Sequence, residues 1–161
     1  MQIAVYRNPN LHQNRAFAFK MTRIDFHSNV PDKISYTCRL IRKANATGCC
    51  IIVFDSDATQ LDLLNDALWA FSESDFLPHV LLNDPRMGQT PIVLTADDRA
   101  NFPHYELLIN LTQSLPRDFL RFERVIEVIS SDPQDTLAGR ERFRQYKQQG
   151  ITPTHTIAKP S

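Results

Sequence analysis

The sequence predicts a single α/β domain, a three-layer α/β/α sandwich around a mostly parallel, Rossmann-like sheet. Three observations carry this reading. Continuous apolar runs of strand length occur at Cys49–Phe54 (CCIIVF) and Glu106–Leu111 (ELLINL), as expected for strands covered on both faces. Between such runs lie segments with helical apolar spacing. Strands and helices alternate along most of the chain, the pattern that builds a sheet with helices packed on it.

Taken in order, residues 1–20 (MQIAVYRNPNLHQNRAFAFK) show little period beyond a short strand-like stretch at Gln2–Arg7. They read as an extension ahead of a start at Met21, or as a peripheral strand or partner-binding arm. Met21–His27 roughly alternates and reads as the first core strand. Pro31 suits a first helical turn. Ile34, Cys38, Ile41 and Ala44 then recur at helical spacing, with Thr37 as the one polar member of that arc. Gly48 is a plausible stop, and Cys49–Phe54 follows as a buried strand. Strand, helix and strand form a βαβ unit with a right-handed parallel crossover.

The next helix is the most informative. From Leu61, at 100° per residue, Leu61, Leu64, Ala67, Leu68 and Phe71 fall on one arc about 120° wide, a core-facing stripe. Trp69, the only Trp, falls instead among Asp62, Asn65 and Asp66. A Trp on the wet face gains nothing within the chain, and such residues are enriched at interface hot spots. Phe76 extends the same patch.

Short strands follow near Pro78–Leu82 and Pro91–Thr95, then a polar loop at Ala96–His104. Pro116–Phe122 reads as a short helix and Arg124–Ser130 as an alternating strand. Asp132 is placed to cap the last helix, with Pro133 at its first position and Asp135 favouring its N-terminus. Gly150 ends that helix. Ile151–Ser161 reads as a frayed tail. The expected organisation is an extension over 1–20, the α/β domain over 21–151 and a C-terminal tail over 152–161.

Composition narrows the function. Of 161 residues, 42% are hydrophobic and 22% charged, ordinary for a globular protein. Lys plus Arg equals Asp plus Glu, 18 each. That balance argues against a protein that coats nucleic acid, where excess basic charge supplies affinity. No apolar run approaches the roughly 18 residues of a membrane span, and the N-terminus lacks the apolar core of a signal peptide. The three cysteines (Cys38, Cys49, Cys50) suggest reduced, buried thiols in a cytoplasmic protein. Their spacing from the scattered histidines fits no zinc site.

Two enzymatic alternatives each require a motif. The four glycines (Gly48, Gly88, Gly139, Gly150) match neither the dinucleotide fingerprint nor a P-loop, so no nucleotide cofactor is expected. The stretch Ile51–Thr59 (IIVFDSDAT) resembles the first motif of haloacid-dehalogenase-type phosphatases. There the first Asp is a nucleophile and the second a general acid, with Mg²⁺ offsetting their charge. On that alternative Asp55 and Asp57 are catalytic, Thr95 supplies the second motif, and Asp97 and Asp98 the acidic pair. The order fails: no Lys lies between Lys43 and Lys147 to balance phosphate charge, and Thr95 stands only two residues before Asp97. The plainer role for Asp55, Asp57 and Thr59 is to satisfy a loop and cap the next helix.

A last surface lies on the C-terminal helix. Arg140, Phe143, Arg144 and Lys147 share one arc, while Ala138 and Tyr146 fall on the opposite, core-facing side. Three cations around an aromatic make a poor core face. They make a good receptor for an acidic segment with a hydrophobic end.

The helix ending ALWAF, followed by FLPH, the turn DPRMGQTP, the strand PIVLT and the basic helix RERFRQYK, resembles the chi subunit of bacterial DNA polymerase III holoenzyme. The likeness runs from about Met21 to Ile151. It implies a non-catalytic accessory subunit acting in DNA replication, with no cofactor and no direct nucleic-acid contact. Its implied partners are two. The acidic C-terminal tail of single-stranded DNA-binding protein, ending in Phe with a free carboxylate, would meet Arg140, Phe143 and Arg144, with Ile129 as apolar neighbour; Lys147 joins them from the arc. The psi subunit, which tethers chi to the clamp loader, would meet Trp69 and Phe76. In some bacteria that second surface also receives a helicase.

Overall fold

The computed structural model describes residues 21–71 and 76–159. The readings made for 1–20 lie outside them. Seven strands and three α-helices are described. They are β1 (Arg23–Val30), α1 (Lys33–Ala46), β2 (Ile51–Phe54), α2 (Ala58–Ala70), β3 (His79–Leu81), β4 (Ile92–Thr95), β5 (Leu107–Asn110), β6 (Arg124–Ser130), α3 (Pro133–Gln148) and β7 (Thr154–Ile157).

The strands form one sheet in the order β3-β4-β2-β5-β6-β1-β7, and every neighbouring pair is parallel. β2, β4 and β5 are buried along their whole length, which is why their sequences are unbroken apolar runs. On one face α1 and α2 pack over Ile51, Val53, Ile92, Leu94 and Ile109. Their buried residues are the expected ones: Thr37, Cys38 and Ile41 from α1, and Leu61, Leu64 and Leu68 from α2. The other face carries α3 over β6 and β1. Over the middle of the sheet it is closed by loop residues such as Phe102, Phe119 and Phe122.

Local chemistry sets the ends of the helices. Asp32 caps α1 by accepting from Ser35 N, so Pro31 stands before the cap and not in the first turn. Gly48 takes φ +83°, the left-handed conformation that ends a helix cheaply only in glycine. Asp132 caps α3 through the N–H groups of Gln134 and Asp135, behind Pro133. At the carboxyl ends of the strands Lys33 ties three elements together. It donates to the Leu111 carbonyl at 2.7 Å and pairs with Asp135 at 3.0 Å.

Three expectations need correction. Only Phe119–Arg121 of the 116–122 stretch is helical, as one 3₁₀ turn. Cys38 is buried, with its thiol pushed up to about 11 by desolvation, but Cys49 and Cys50 are half-buried. Over its described residues the tail is not frayed: Thr154–Ile157 pairs with β1 along Asp25–Ser28. Ile151 and Ala158 are buried on either side of this strand. The Thr154 hydroxyl also donates to the Asp25 carboxylate, which takes Arg124 Nε at 2.6 Å. Burial pushes the Asp25 carboxyl up, but these bonds outweigh it and hold it below the ordinary range.

No helix among the described residues is long and apolar enough to cross a membrane.

Candidate functional site

Two surfaces stand out, one at each edge of the sheet. Beside β7, the parallel pairing of β1 with β7 sets Phe26 against His155. Both then face α3, as does Ser28 two residues on. Ser28 Oγ lies 2.6 Å from His155 Nε2, a hydrogen bond that fixes this rim. From above, α3 contributes Thr136, Gly139, Arg140 and Phe143, and β6 contributes Ile129. Together these eight residues line a pocket of about 330 Å³. Its floor is apolar. Phe143 meets the Phe26 ring edge-on at 5.1 Å, and Ile129 is buried. Arg140 stands exposed at the mouth, its guanidinium without a partner among the described residues.

Gly139 explains how the strand and helix approach so closely. A Cβ there would lie 2.5 Å from Ile129 Cδ1. Glycine inside a helix costs about 1 kcal/mol relative to alanine, and here the missing side chain is what seats Ile129 under the helix.

Beneath α3 lies a polar network that sequence reasoning missed. Glu127 on β6 is fully buried. It accepts from Arg142 Nε at 2.9 Å, from the Tyr146 hydroxyl at 2.7 Å and from Asn110 Nδ2 at 2.9 Å. Burial pushes the Glu127 carboxyl up, against the pull of Arg142 and the two neutral donors. Burial and the adjacent carboxylate likewise push the Tyr146 hydroxyl up. The two terminal nitrogens of Arg142 are buried without hydrogen-bond partners. This network fixes the rotation of α3, and with it the directions of Arg140 and Phe143. Tyr146 faces inward as its place on the helical wheel requires.

The five residues assigned from sequence to this surface divide. Ile129, Arg140 and Phe143 share the pocket. Arg144 turns to Glu141, with Nη2 2.5 Å from its carboxylate. Lys147 is exposed and lines no wall.

At the opposite edge, Trp69 and Phe76 are brought together, ring centroids 5.8 Å apart. They are 57% and 69% exposed. Trp69 also covers His79 on β3, at 4.5 Å. His79 is buried and donates from Nδ1 to the Leu77 carbonyl at 2.6 Å, while its Nε2 has no partner. His79 thus supports the Trp69 ring from below. This patch is apolar and solvent-facing.

The acidic residues weighed for phosphoryl chemistry are engaged locally. Asp57 caps α2 by accepting from Thr59 N at 2.9 Å, and Asp55 accepts from Asp57 N at 3.0 Å. Burial raises the Asp55 carboxyl. Thr95 and Asp97 bond each other within one turn. Among the described residues, no group of three or more His, Cys, Asp or Glu is placed to hold a metal ion.

Comparison with known proteins agrees over most of the chain. The family model described as "DNA polymerase III chi subunit, HolC" matches residues 21–154, a span that includes every residue named for the two surfaces except His155. A protein named DNA polymerase III subunit chi from Pseudomonas aeruginosa is 32% identical over 134 residues, covering 81% of this chain and 92% of its own length. One of the same name from Haemophilus influenzae is 30% identical over 100 residues, 62% of this chain and 69% of its own. Another from Escherichia coli is 23% identical over 114 residues, 71% and 78% respectively.

Proposed function

The chain belongs to the DNA polymerase III chi subunit family, and from that premise we propose that it is a non-catalytic, cytoplasmic adaptor in DNA replication. One surface takes the acidic C-terminal tail of single-stranded DNA-binding protein. The other takes the psi subunit, or in its place a helicase, and so connects to the clamp loader.

The observation that carries this reading is the pocket beside α3. Its volume of about 330 Å³ exceeds the roughly 150 Å³ that accommodates a benzene ring in an apolar cavity. Phe26, Ile129 and Phe143 suit a terminal phenyl side chain. Arg140 at the mouth suits the carboxylate that ends such a chain, as a charge-assisted and directional contact. Arg144 and Lys147, beyond the walls, suit the acidic residues that precede it. The Trp69–Phe76 patch has a different character. Its apolar, solvent-facing aromatics fit the face of a folded partner.

The sheet order puts these surfaces at opposite edges, six strand steps apart. At about 4.8 Å per step that is roughly 29 Å, enough for both to be occupied at once. Tethering then raises the local concentration of a weak tail contact.

The test is titration of the protein into a labelled peptide that copies the tail. Saturable binding, weakened by salt and lost with a C-terminal amide or in Arg140→Ala, is the expected result. Equal binding of the free acid and the amide would refute this assignment of the pocket.

A further inference from the structure

A second hollow, of about 700 Å³, lies between the C-terminal end of α3 at Gln149 and the loop that joins β5 to β6. It shares no wall residue with the pocket beside β7. Leu115, Pro116 and Leu120 give it an aliphatic lining, and Leu120 is 61% exposed. Arg99, Arg117 and Arg121 line it as well.

The rim is built, not incidental. Arg121 donates to the carbonyls of Ala100 and Asp98, both at 2.9 Å. Its guanidinium also lies 5.1–5.9 Å from the ring centroids of Tyr105, Phe102 and Phe122. It therefore pins the Asp98–Ala100 loop against the β5–β6 loop. Asp98 adds a second tie, accepting from Arg117 N at 2.8 Å. Between them the backbone turns at Asp118, whose φ of +52° is left-handed, a conformation that Asp tolerates better than most residues. This scaffold holds Arg99 and Arg117 out at the rim. Both are exposed; Arg99 acts electrostatically on the neighbouring Asp98 carboxyl, and the Arg117 guanidinium has no partner among the described residues.

Three cations face one wall carboxylate, Asp118, and one flanking carboxylate, Asp98. The hollow therefore favours an anionic occupant. It does not suit single-stranded nucleic acid, which binds by stacking bases on exposed rings: the one aromatic in the wall, Phe119, is buried against Tyr146 at 4.9 Å. Nor does it suit residues 1–20 of the same chain, which carry Arg7, Arg15 and Lys20 and no acid. Aliphatic lining with a cationic rim is the complement of an acidic peptide that carries an aliphatic side chain. We infer that this hollow is a second docking site, for an acidic protein segment with a leucine-sized side chain. It is independent of the pocket beside β7.

The test uses fluorescence anisotropy with the full chain and a labelled, C-terminally amidated peptide, Asp-Asp-Leu-Asp-Asp-Leu. The amide removes the terminal carboxylate on which the first pocket depends. Saturable, salt-weakened binding is expected. Charge reversal at the rim in Arg99→Glu/Arg117→Glu should abolish it, since juxtaposed like charges repel strongly. Leu120→Asn should weaken it several-fold, and Arg140→Ala should leave it unchanged. All substituted side chains are exposed, and an unaltered urea midpoint will verify that each variant folds. Binding that survives the charge reversal, or that is kept when both leucines of the peptide become serine, would overturn the inference. So would failure to saturate at high micromolar protein. Tighter binding of a short oligothymidylate, lost in the same reversal, would overturn it in favour of nucleic acid.

Discussion

The two edges of the sheet present surfaces built from different materials. At the β7 edge the surface is concave and carries the Arg140 cation at its mouth. A small pocket is assembled from two parallel strands and a helix, and the helix is locked in place by a buried ion pair between Arg142 and Glu127. At the β3 edge the surface is apolar and exposed. Trp69 and Phe76 stack in the open on a three-residue strand, with one buried histidine beneath them. On the proposed function, a pocket with a cation at its mouth reads the end of a chain, and salt weakens that contact. On the same proposal, the exposed aromatic patch meets the face of a partner, a contact that salt affects little. Their places at opposite edges of the sheet leave room for both to be occupied at once.

The largest effect should come from the lock beneath α3. Arg142→Ala leaves Glu127 buried and without its counter-ion, a change that typically costs about 3–5 kcal/mol. Urea unfolding should show a loss of that order. Peptide binding at the β7 edge should fall with it, while Trp69 fluorescence in the native baseline keeps its wild-type maximum. An intermediate effect is expected from Gly139→Ala. The added methyl meets Ile129 at 2.5 Å, and overpacking of this kind costs about 1–3 kcal/mol. The helix-propensity gain of roughly 1 kcal/mol offsets part of it. Net destabilisation should be modest, but displacement of Ile129 should weaken peptide binding and leave psi binding intact.

A smaller effect should appear in acid. Burial pushes the Asp135 carboxyl up, but the Ser130 N–H and the Lys33 ammonium outweigh it and hold it below its ordinary value. A carboxylate depressed in the folded state adds stability that is present above its unfolded pKa, near 3.8. That stability is lost as pH falls through the lower folded value. Asp135→Asn should therefore flatten the acid limb of the stability profile below about pH 4. Persistence of the wild-type slope would show that other carboxylates, Asp25 foremost, carry it.

How much of this could be read from the chain depends on what each residue touches. β2, β4 and β5 were legible because both of their faces are covered, which leaves an uninterrupted apolar run. Trp69 was legible because it breaks the period of its own helix. β7 was not, since every one of its residues is exposed and an exposed edge strand has no hydrophobic period to detect. Arg142 was hidden in a basic stretch, RERFRQYK, that looks solvated throughout. Its burial is decided by Glu127, fifteen residues earlier on a neighbouring strand. The pocket walls Phe26, Ser28 and His155 were invisible for a related reason. Parallel pairing joins β1 to β7 across 127 residues between Ser28 and His155, and nothing local marks either strand. Gly139 was the one available clue, a glycine placed inside a helix where only close approach justifies it. The division of the basic arc, with Arg140 at the pocket and Arg144 held by Glu141, follows from side-chain partners that a helical wheel does not contain.

The central claim is that two separate surfaces serve two partners, and one experiment addresses it directly. Trp69→Ala and Arg140→Ala would each be titrated with the psi subunit and with the tail peptide, beside the wild-type protein. Two separate surfaces predict a double dissociation: Trp69→Ala loses psi and keeps the peptide at wild-type affinity, and Arg140→Ala does the reverse. Loss of both partners in either folded variant would contradict the account.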